Sequence, residues 1–302
     1  MDPLVVVEIV VAAAQDMLFA VAVGALACGT MLRLQEGPTP TSLVRWQLGA
    51  LSGLTFTCGL YLWLQAAVVS GSPLSEAGPL VTVLLTQSHF GVASAVSCAG
   101  AILGIMGSIR GTRCAALVTA TGLIVYAAGR VGSSHAADGG DFTLAEVIHF
   151  VHLCGMALWS GSVIVAAFVL SRWDVASSRT IEQRADFCVQ LSHLATVSLG
   201  VVVVSGIYNA TQDTAHLAAP LLSVQYGRVL TLKLVLVTLV VLLGGTNRML
   251  ILPQLQAAST SSDPLFHIAQ RRFGRLLILE AVAMLAVLAT AAMLGHTSPS
   301  AG

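Results

Sequence analysis

Apolar stretches long enough to cross a membrane recur along the whole chain of 302 residues. Each runs for at least ~18 residues, and a helix that rises about 1.5 Å per residue needs about 20 of them to cross a hydrocarbon core of ~30 Å. Charged residues make up only 9% of the sequence, whereas soluble domains contain about 25%. The chain is therefore predicted to be an all-α, polytopic membrane helix bundle. Its formal net charge of zero, without a long basic run, gives no indication of nucleic-acid binding.

Polar segments separate the apolar stretches and divide the chain into about eight predicted transmembrane helices. Backbone polar groups in lipid must be hydrogen-bonded within the helix, so the helices are expected to end where the chain returns to water. The predicted spans are 4–32, 43–70, 79–109, 112–131, 142–171, 186–212, 222–252 and 271–296. Because nearly every residue belongs to a span, we predict a single membrane domain over 1–302 with short loops.

Basic residues are distributed unevenly between the loops on the two sides of the predicted bundle. Eleven of the fourteen Lys and Arg residues border alternate loops, whereas the loops near 71–78, 132–141 and 213–221 contain none. Loops rich in Lys and Arg stay in the cytoplasm. Both termini are therefore predicted to face the outside, which for a bacterial inner-membrane protein is the periplasm.

The fifth predicted span carries a stripe of polar and sulfur-containing side chains. Spacings of three and four residues put Glu146, His149, His152 and Met156 along one side of this helix. With the helix beginning near residue 142, the two histidines lie ~10 and ~15 Å below the external surface, and Met156 lies about one turn deeper. Imidazole is a copper ligand and thioether selects Cu(I), so the stripe predicts copper binding. In the alternative interpretation, the histidines hydrogen-bond to neighbouring helices and Met156 fills space.

Three further histidines are candidate copper ligands outside the fifth span. His89 is predicted near the middle of the third span, ~15 Å from its external end, where it would complete the site from a second helix. His135 lies in an external segment and His296 at the external end of the eighth span, where copper would first bind. Each also has an ordinary interpretation as a solvated or structural histidine.

Besides Glu146, three charged residues are predicted to lie inside the membrane. Lys233 and Glu280 fall at the same depth on adjacent spans, ~16 Å from the external face. An ion pair between them would remove two unpaired charges from lipid. Asp16, near the middle of the first span, is an alternative partner for Lys233, and a role in proton coupling is the functional alternative to a structural pair.

Six short fragments between residues 134 and 281 follow the order of motifs in a known family. His152 to Gly161 resembles the His-Leu-…-Ala-Leu-Trp-x-Gly segment of the copper resistance protein D (CopD) family. Residues 134–137 (Ser-His-Ala-Ala) are similar to the family's Gly-His-Ala-Ala, and residues 205–210 (Ser-Gly-Ile-Tyr-Asn-Ala) are similar to its Thr-Gly-x-x-Asn-Ala. Residues 226–233 (Tyr-Gly-Arg-Val-Leu-Thr-Leu-Lys) are similar to its Tyr-Gly-Arg-x-Leu-x-x-Lys. The segments 247–253 and 279–281 complete the series. Together they cover roughly 134–295; the four predicted helices within 1–131 match only loosely.

The resemblance implies a multi-pass protein of the bacterial inner membrane that moves copper, as Cu(I) or Cu(II), from periplasm to cytoplasm. It also implies a periplasmic CopC-type copper chaperone as a separate chain. His135 and His152 are the metal residues that match the family pattern, and Lys233 and Glu280 match recurrent polar positions. These roles are expectations from the resemblance.

Motifs of several enzyme classes are missing from the sequence. It contains no Gly-x-x-x-x-Gly-Lys-Ser/Thr, no Gly-x-Ser-x-Gly and no His-Glu-x-x-His, so neither an ATP-driven pump nor a hydrolase is predicted. Two alternatives to a transporter stay open. One is a membrane b-type cytochrome whose haem is held by histidines such as His89, His149, His152 and His193. The other is a copper-binding sensor or assembly protein that does not transport.

Overall fold

The computed structural model describes residues 3–35, 41–71, 73–110, 113–134, 143–173, 178–212, 225–259 and 264–296. These residues are almost entirely helical and include no β-strand. Eight of their helical segments are long and apolar enough to cross a membrane. The predicted all-α bundle of about eight spans is therefore confirmed, whereas the location of the termini stays a prediction.

Ten α-helices, numbered in chain order, make up the described part of the chain. They are α1 (Pro3–Leu34), α2 (Thr41–Ser70), α3 (Gly78–Gln87), α4 (His89–Arg110), α5 (Arg113–Gly132), α6 (Leu144–Ser171), α7 (Ser178–Gln212), α8 (Gln225–Thr246), α9 (Leu252–Ser259) and α10 (Pro264–Gly295). A 3₁₀ turn (Leu74–Glu76) precedes α3, and a π-helical segment (Asn247–Ile251) joins α8 to α9. The helices α8 and α9 with this segment form one span.

The third predicted span is broken, so the prediction of one helix over 79–109 is wrong. Ser88 has extended backbone angles (φ −118°, ψ 142°) between α3 and α4. Its hydroxyl donates to the carbonyl oxygen of Leu84 at 2.7 Å and accepts the N–H of Gly91 at 3.0 Å. Serine at such a position caps the next helix. As a result, α4 alone crosses the membrane, α3 is a short apolar helix, and His89 is the first residue of α4 instead of a mid-span residue.

The centre of the bundle is the pair α1 and α6, and α10 packs against both of them. Two glycines allow the backbones of α1 and α6 to touch. A Cβ added to Gly161 would collide with the carbonyl oxygen of Ala20, and one added to Gly24 would collide with the carbonyl oxygen of Gly161. Small residues at such a crossing are typical of helix packing in membranes. This crossing fixes the position of α6, the helix that carries the His and Met stripe.

Large apolar side chains cover much of the outside of the bundle. Phe56, Leu117 and Val204 are each about 70% exposed. In water such a surface would be costly, whereas in lipid it contacts hydrocarbon. Polar side chains inside the bundle are therefore the unusual feature that calls for a functional explanation.

Candidate metal site and the polar residues around it

His152 of α6 is held by a hydrogen bond from α7. Its Nδ1 atom lies 3.0 Å from the hydroxyl oxygen of Ser205. The Ser205 hydroxyl itself donates to the carbonyl oxygen of Val201 at 2.6 Å, so its oxygen accepts the Nδ1–H of His152. The lone pair of the imidazole is then on Nε2. Histidines that bind metals commonly donate their other ring N–H in this way.

The backbone of α7 also limits how the His152 ring can move. Gly206 follows Ser205, and a Cβ added to it would lie 3.2 Å from Cε1 of His152. The glycine therefore leaves room for the ring beside α7. Ser205 and Gly206 belong to a family-like fragment of the sequence, yet their contact with His152 was not predicted, because one sequence does not show which helices are neighbours.

The other members of the stripe lie on α6 as the spacing predicts. His149, one turn before His152, is half-buried and interacts electrostatically with Arg130 of α5 and Lys233 of α8. Met156 is buried in the same apolar cluster as Trp159. Glu146 is in the first turn, where its N–H is capped by the Thr143 hydroxyl at 3.2 Å. The stripe therefore runs from a polar end to an apolar core.

Within the described residues, no group of three or more His, Cys, Asp or Glu side chains is placed to hold a metal ion. A copper site on α6 would therefore combine His149 and His152 with the thioether of Met156 or with a group elsewhere. His135, one of the predicted ligands, lies outside the described residues. The ligand set stays a prediction.

Two other histidines are found away from the bundle interior. His89 is exposed at the beginning of α4, and His193 is exposed on α7. The break at Ser88 explains the difference for His89, because it moves this residue from mid-span to a helix start. The structure gives no support to His89 as a ligand inside the bundle.

His296 is hydrogen-bonded through both ring nitrogens. Its Nδ1 lies 2.9 Å from the carbonyl oxygen of Ala292, which can only accept, and its Nε2 lies 3.2 Å from the hydroxyl of Tyr61. In a neutral ring, Nδ1 therefore donates and Nε2 accepts the Tyr61 O–H. Copper binding at His296 would require Tyr61 to release Nε2.

Charged and polar side chains from five helices, together with the residue that follows α10, meet in the half of the bundle that contains the end of α10. We call this set the outer polar cluster; its members are Asp16, Tyr61, Arg130, His149, Lys233 and His296. Asp16 interacts electrostatically with Arg130, Lys233 and His296. The guanidinium of Arg130 lies 5.9 Å from the centre of the Tyr61 ring, a cation–π distance, and its buried Nε has no hydrogen-bond partner among the described residues.

Arg130 and Tyr61 were not among the candidates taken from the sequence. Arg130 is near the end of the fourth predicted span, and its charge was not recognised as lying inside the bundle. A usable signal exists, since Arg130 is one of only three basic residues that do not border the Arg-rich loops. The other two are Arg228 and Lys233.

The electrostatic partner of Lys233 among the described residues is Asp16 and not Glu280. The Lys233 ammonium interacts electrostatically with Asp16, and no such interaction links it to Glu280 in the residues that the structure describes. The structure thus favours the alternative pairing considered from the sequence. Glu280 is buried at a separate place, against α8.

These features define a multi-pass α-helical membrane protein with a histidine-containing, charged interior. Residues 185–294 match the family model described as copper resistance protein D. The resemblance to this family is thereby confirmed for about a third of the chain, the part that includes Ser205, Lys233 and Glu280, while α6 precedes the matched segment. Over this segment the protein is similar to copper resistance protein D. No curated protein sequence and no solved structure matches the chain.

Proposed function

We propose that the protein transports copper across the bacterial inner membrane, from the periplasm to the cytoplasm. The observation that carries this proposal is the fixed orientation of the His152 imidazole. With Nδ1 bonded to Ser205, Nε2 is the ring atom of His152 that is available as a metal ligand. The copper resistance protein D match over 185–294 identifies copper as the metal to test. Along this route, His149 would bind the ion before His152, and Met156 would bind it after His152.

Positive charge near the stripe opposes the approach of a copper ion. Arg130 and Lys233 both act on His149, and two cations oppose the approach of a third. Asp16 offsets part of this positive charge, because it interacts with both. The proposed imidazole and thioether ligands are neutral and do not offset this charge, so Asp16 is the group that lowers the electrostatic cost of the ion's approach.

The outer histidines would load the site. His296, and His135 in the segment outside the described residues, would receive copper at the periplasmic face. A CopC-type chaperone, as a separate chain, would deliver it there. With no nucleotide-binding motif in the sequence, transport would be passive or coupled to another ion.

Haem binding gains no support from the described residues. Two axial ligands on different helices would be needed, and the candidates on α4 and α7, His89 and His193, are exposed. The alternative that differs least from the proposed function is a protein that binds copper without transporting it.

Copper uptake into proteoliposomes tests the proposed function. Purified protein is reconstituted, Cu(I) is added outside, and metal retained inside is measured after removal of external copper with a chelator. Uptake above that of protein-free liposomes supports transport. Stoichiometric binding to the protein without uptake identifies a sensor or assembly protein instead, and a Soret band with stoichiometric iron contradicts the copper assignment.

A further inference from the structure

A cavity opens in the half of the bundle that lies beyond the His and Met stripe. It is bounded by α6, α7, α8 and α10 and has an empty volume of about 780 Å³, part of which is open to the surroundings of the bundle. Most of its lining is apolar, and Trp159 of α6 forms part of it. Trp159 follows Met156 by one helical turn, so the cavity begins where the stripe ends.

Glu280 of α10 is the acidic residue of this cavity. It is only 4% exposed, and a Cβ added to Gly244 of α8 would lie 2.8 Å from its Oε1 atom. The carboxyl group is therefore packed against the bare backbone of α8. Among the described residues, no hydrogen bond, ion pair or charged neighbour compensates it. A carboxylate in such surroundings is costly, and the protonated acid is the favoured form.

The backbone of the adjoining helix is irregular beside this carboxyl group. The π-helical segment begins at Asn247, one turn after Gly244, and π-helical turns occur frequently at functional sites. Asn247 is buried, and its Nδ2 donates to the carbonyl oxygen of Phe273 at 3.4 Å. Its Oδ1 is buried without a partner in the described part of the chain. A polar oxygen is thus available in the same cavity as Glu280.

Arg248, the charged group at the edge of the cavity, is bound to α7. Its guanidinium donates to the carbonyl oxygen of Ser192 at 2.9 Å, to the Ser192 hydroxyl at 3.3 Å and to the Thr196 hydroxyl. These contacts hold Arg248 at the far wall and leave Glu280 without a counter-ion. The charged residues of α8, Arg228 and Lys233, both lie in its first half, and Lys233 belongs to the outer polar cluster.

We propose that Glu280 is a proton-exchange site: it holds a proton while the cavity is empty and releases that proton when a copper ion enters from Met156. The bond that breaks is the O–H of the carboxylic acid, and the carboxylate then interacts with the cation. The proton passes to water at the open side of the cavity, so one proton leaves for each copper ion that arrives. This inference rests on the proposed function and names its coupling ion.

The cavity fits a proton better than a sodium ion. A hard metal cation takes several oxygen ligands. The described lining offers the Glu280 carboxyl group and Asn247 Oδ1, whereas the hydroxyls of Ser192 and Thr196 already accept from Arg248. A proton needs only the carboxyl group, and Asn247 Oδ1 would accept it in a hydrogen bond.

A hydrophobic carbodiimide, dicyclohexylcarbodiimide, tests this proposal because it reacts with protonated carboxyl groups in apolar sites. The detergent-solubilised full chain is treated over a range of pH, and the adduct on the peptide that contains Glu280 is quantified by mass spectrometry. We expect labelling at low pH that decreases as the pH rises, decreases when Cu(I) is added at fixed pH, and does not change with sodium. An unlabelled Glu280 in folded protein, labelling that copper does not affect, or protection by sodium would each overturn the proposal.

Two variants control the labelling experiment. Glu280→Gln should lose the adduct on that peptide, and Glu182→Gln, which changes an exposed carboxyl on α7, should leave it unchanged. If Glu280→Gln does not fold, the wild-type pH and copper profiles still decide the question. The failure of the two proposals can be told apart: wild-type protein without copper uptake but with pH-dependent labelling contradicts transport, whereas uptake without copper-sensitive labelling contradicts proton exchange.

Discussion

The Nδ1 atom of His152 lies 3.0 Å from the hydroxyl oxygen of Ser205, and this hydrogen bond joins α6 to α7. The Ser205 hydroxyl donates to Val201, so the histidine is the donor in this pair. The bond sets both the orientation and the tautomer of the imidazole. It thereby connects the segment that matches copper resistance protein D with the helix that carries the His and Met stripe.

Removing the Ser205 hydroxyl should weaken copper binding. In Ser205→Ala the imidazole loses the acceptor that fixes its tautomer, and loss of such a supporting hydrogen bond typically costs about 10- to 100-fold in metal affinity. The affinity for Cu(I) is measured by competition with a chromophoric chelator. Ser198→Ala is the matched control, since Ser198 is buried on the same helix and its hydroxyl has no partner among the described residues. Wild-type affinity in both variants would contradict the assigned tautomer.

A methyl group at the α1–α6 crossing should destabilise the fold. In Gly161→Ala the new Cβ collides with the carbonyl oxygen of Ala20, so the two helices must separate, and such overpacking typically costs about 1–3 kcal/mol. The measurement is the thermal unfolding temperature in detergent. Gly200→Ala serves as the control, because its added Cβ has no atom within 4 Å and should leave the unfolding temperature unchanged or raise it. Equal unfolding temperatures for wild type and Gly161→Ala would show that α1 and α6 do not touch there.

Charge reversal should identify the partner of Lys233. Lys233→Glu places a second negative charge beside Asp16 and should lower the yield of folded protein. A second change, Asp16→Lys, should restore part of that yield because it recreates an opposite-charge pair. Folded yield is read from size-exclusion chromatography of the solubilised protein. Rescue by Glu280→Lys in place of Asp16→Lys would contradict the pairing of Lys233 with Asp16.

The number and approximate positions of the spans could be predicted from hydropathy, but the ends of some helices could not. The helix α7 begins at 178 instead of 186, and α10 begins at 264 instead of 271. Hydropathy reports where a helix is surrounded by lipid, whereas backbone hydrogen bonding continues into polar residues outside it. The break at Ser88 was missed because no Pro or Gly lies at that position. The available signals were three polar residues in a row, 87–89, and Gly91, where a Cβ would collide with the carbonyl oxygen of Leu84.

Helix neighbours could not be predicted, and this limited the candidate site. Depth along a span placed Lys233 level with Glu280, but depth carries no information about which helices face each other. The contact between His152 and Ser205 and the proximity of Arg130 to Asp16 depend on the packing of α6 with α7 and of α1 with α5. The His and Met stripe, in contrast, follows from helical periodicity alone, and α6 has it at the predicted positions.

Copper uptake by His152→Ala proteoliposomes tests the central claim most directly. The matched control is His193→Ala, which removes an exposed histidine from α7. If His152 is the central ligand of a transport route, its loss should reduce uptake to the rate of protein-free liposomes, while His193→Ala should transport at the wild-type rate. Equal uptake by wild type and His152→Ala, with both proteins folded, would contradict the account.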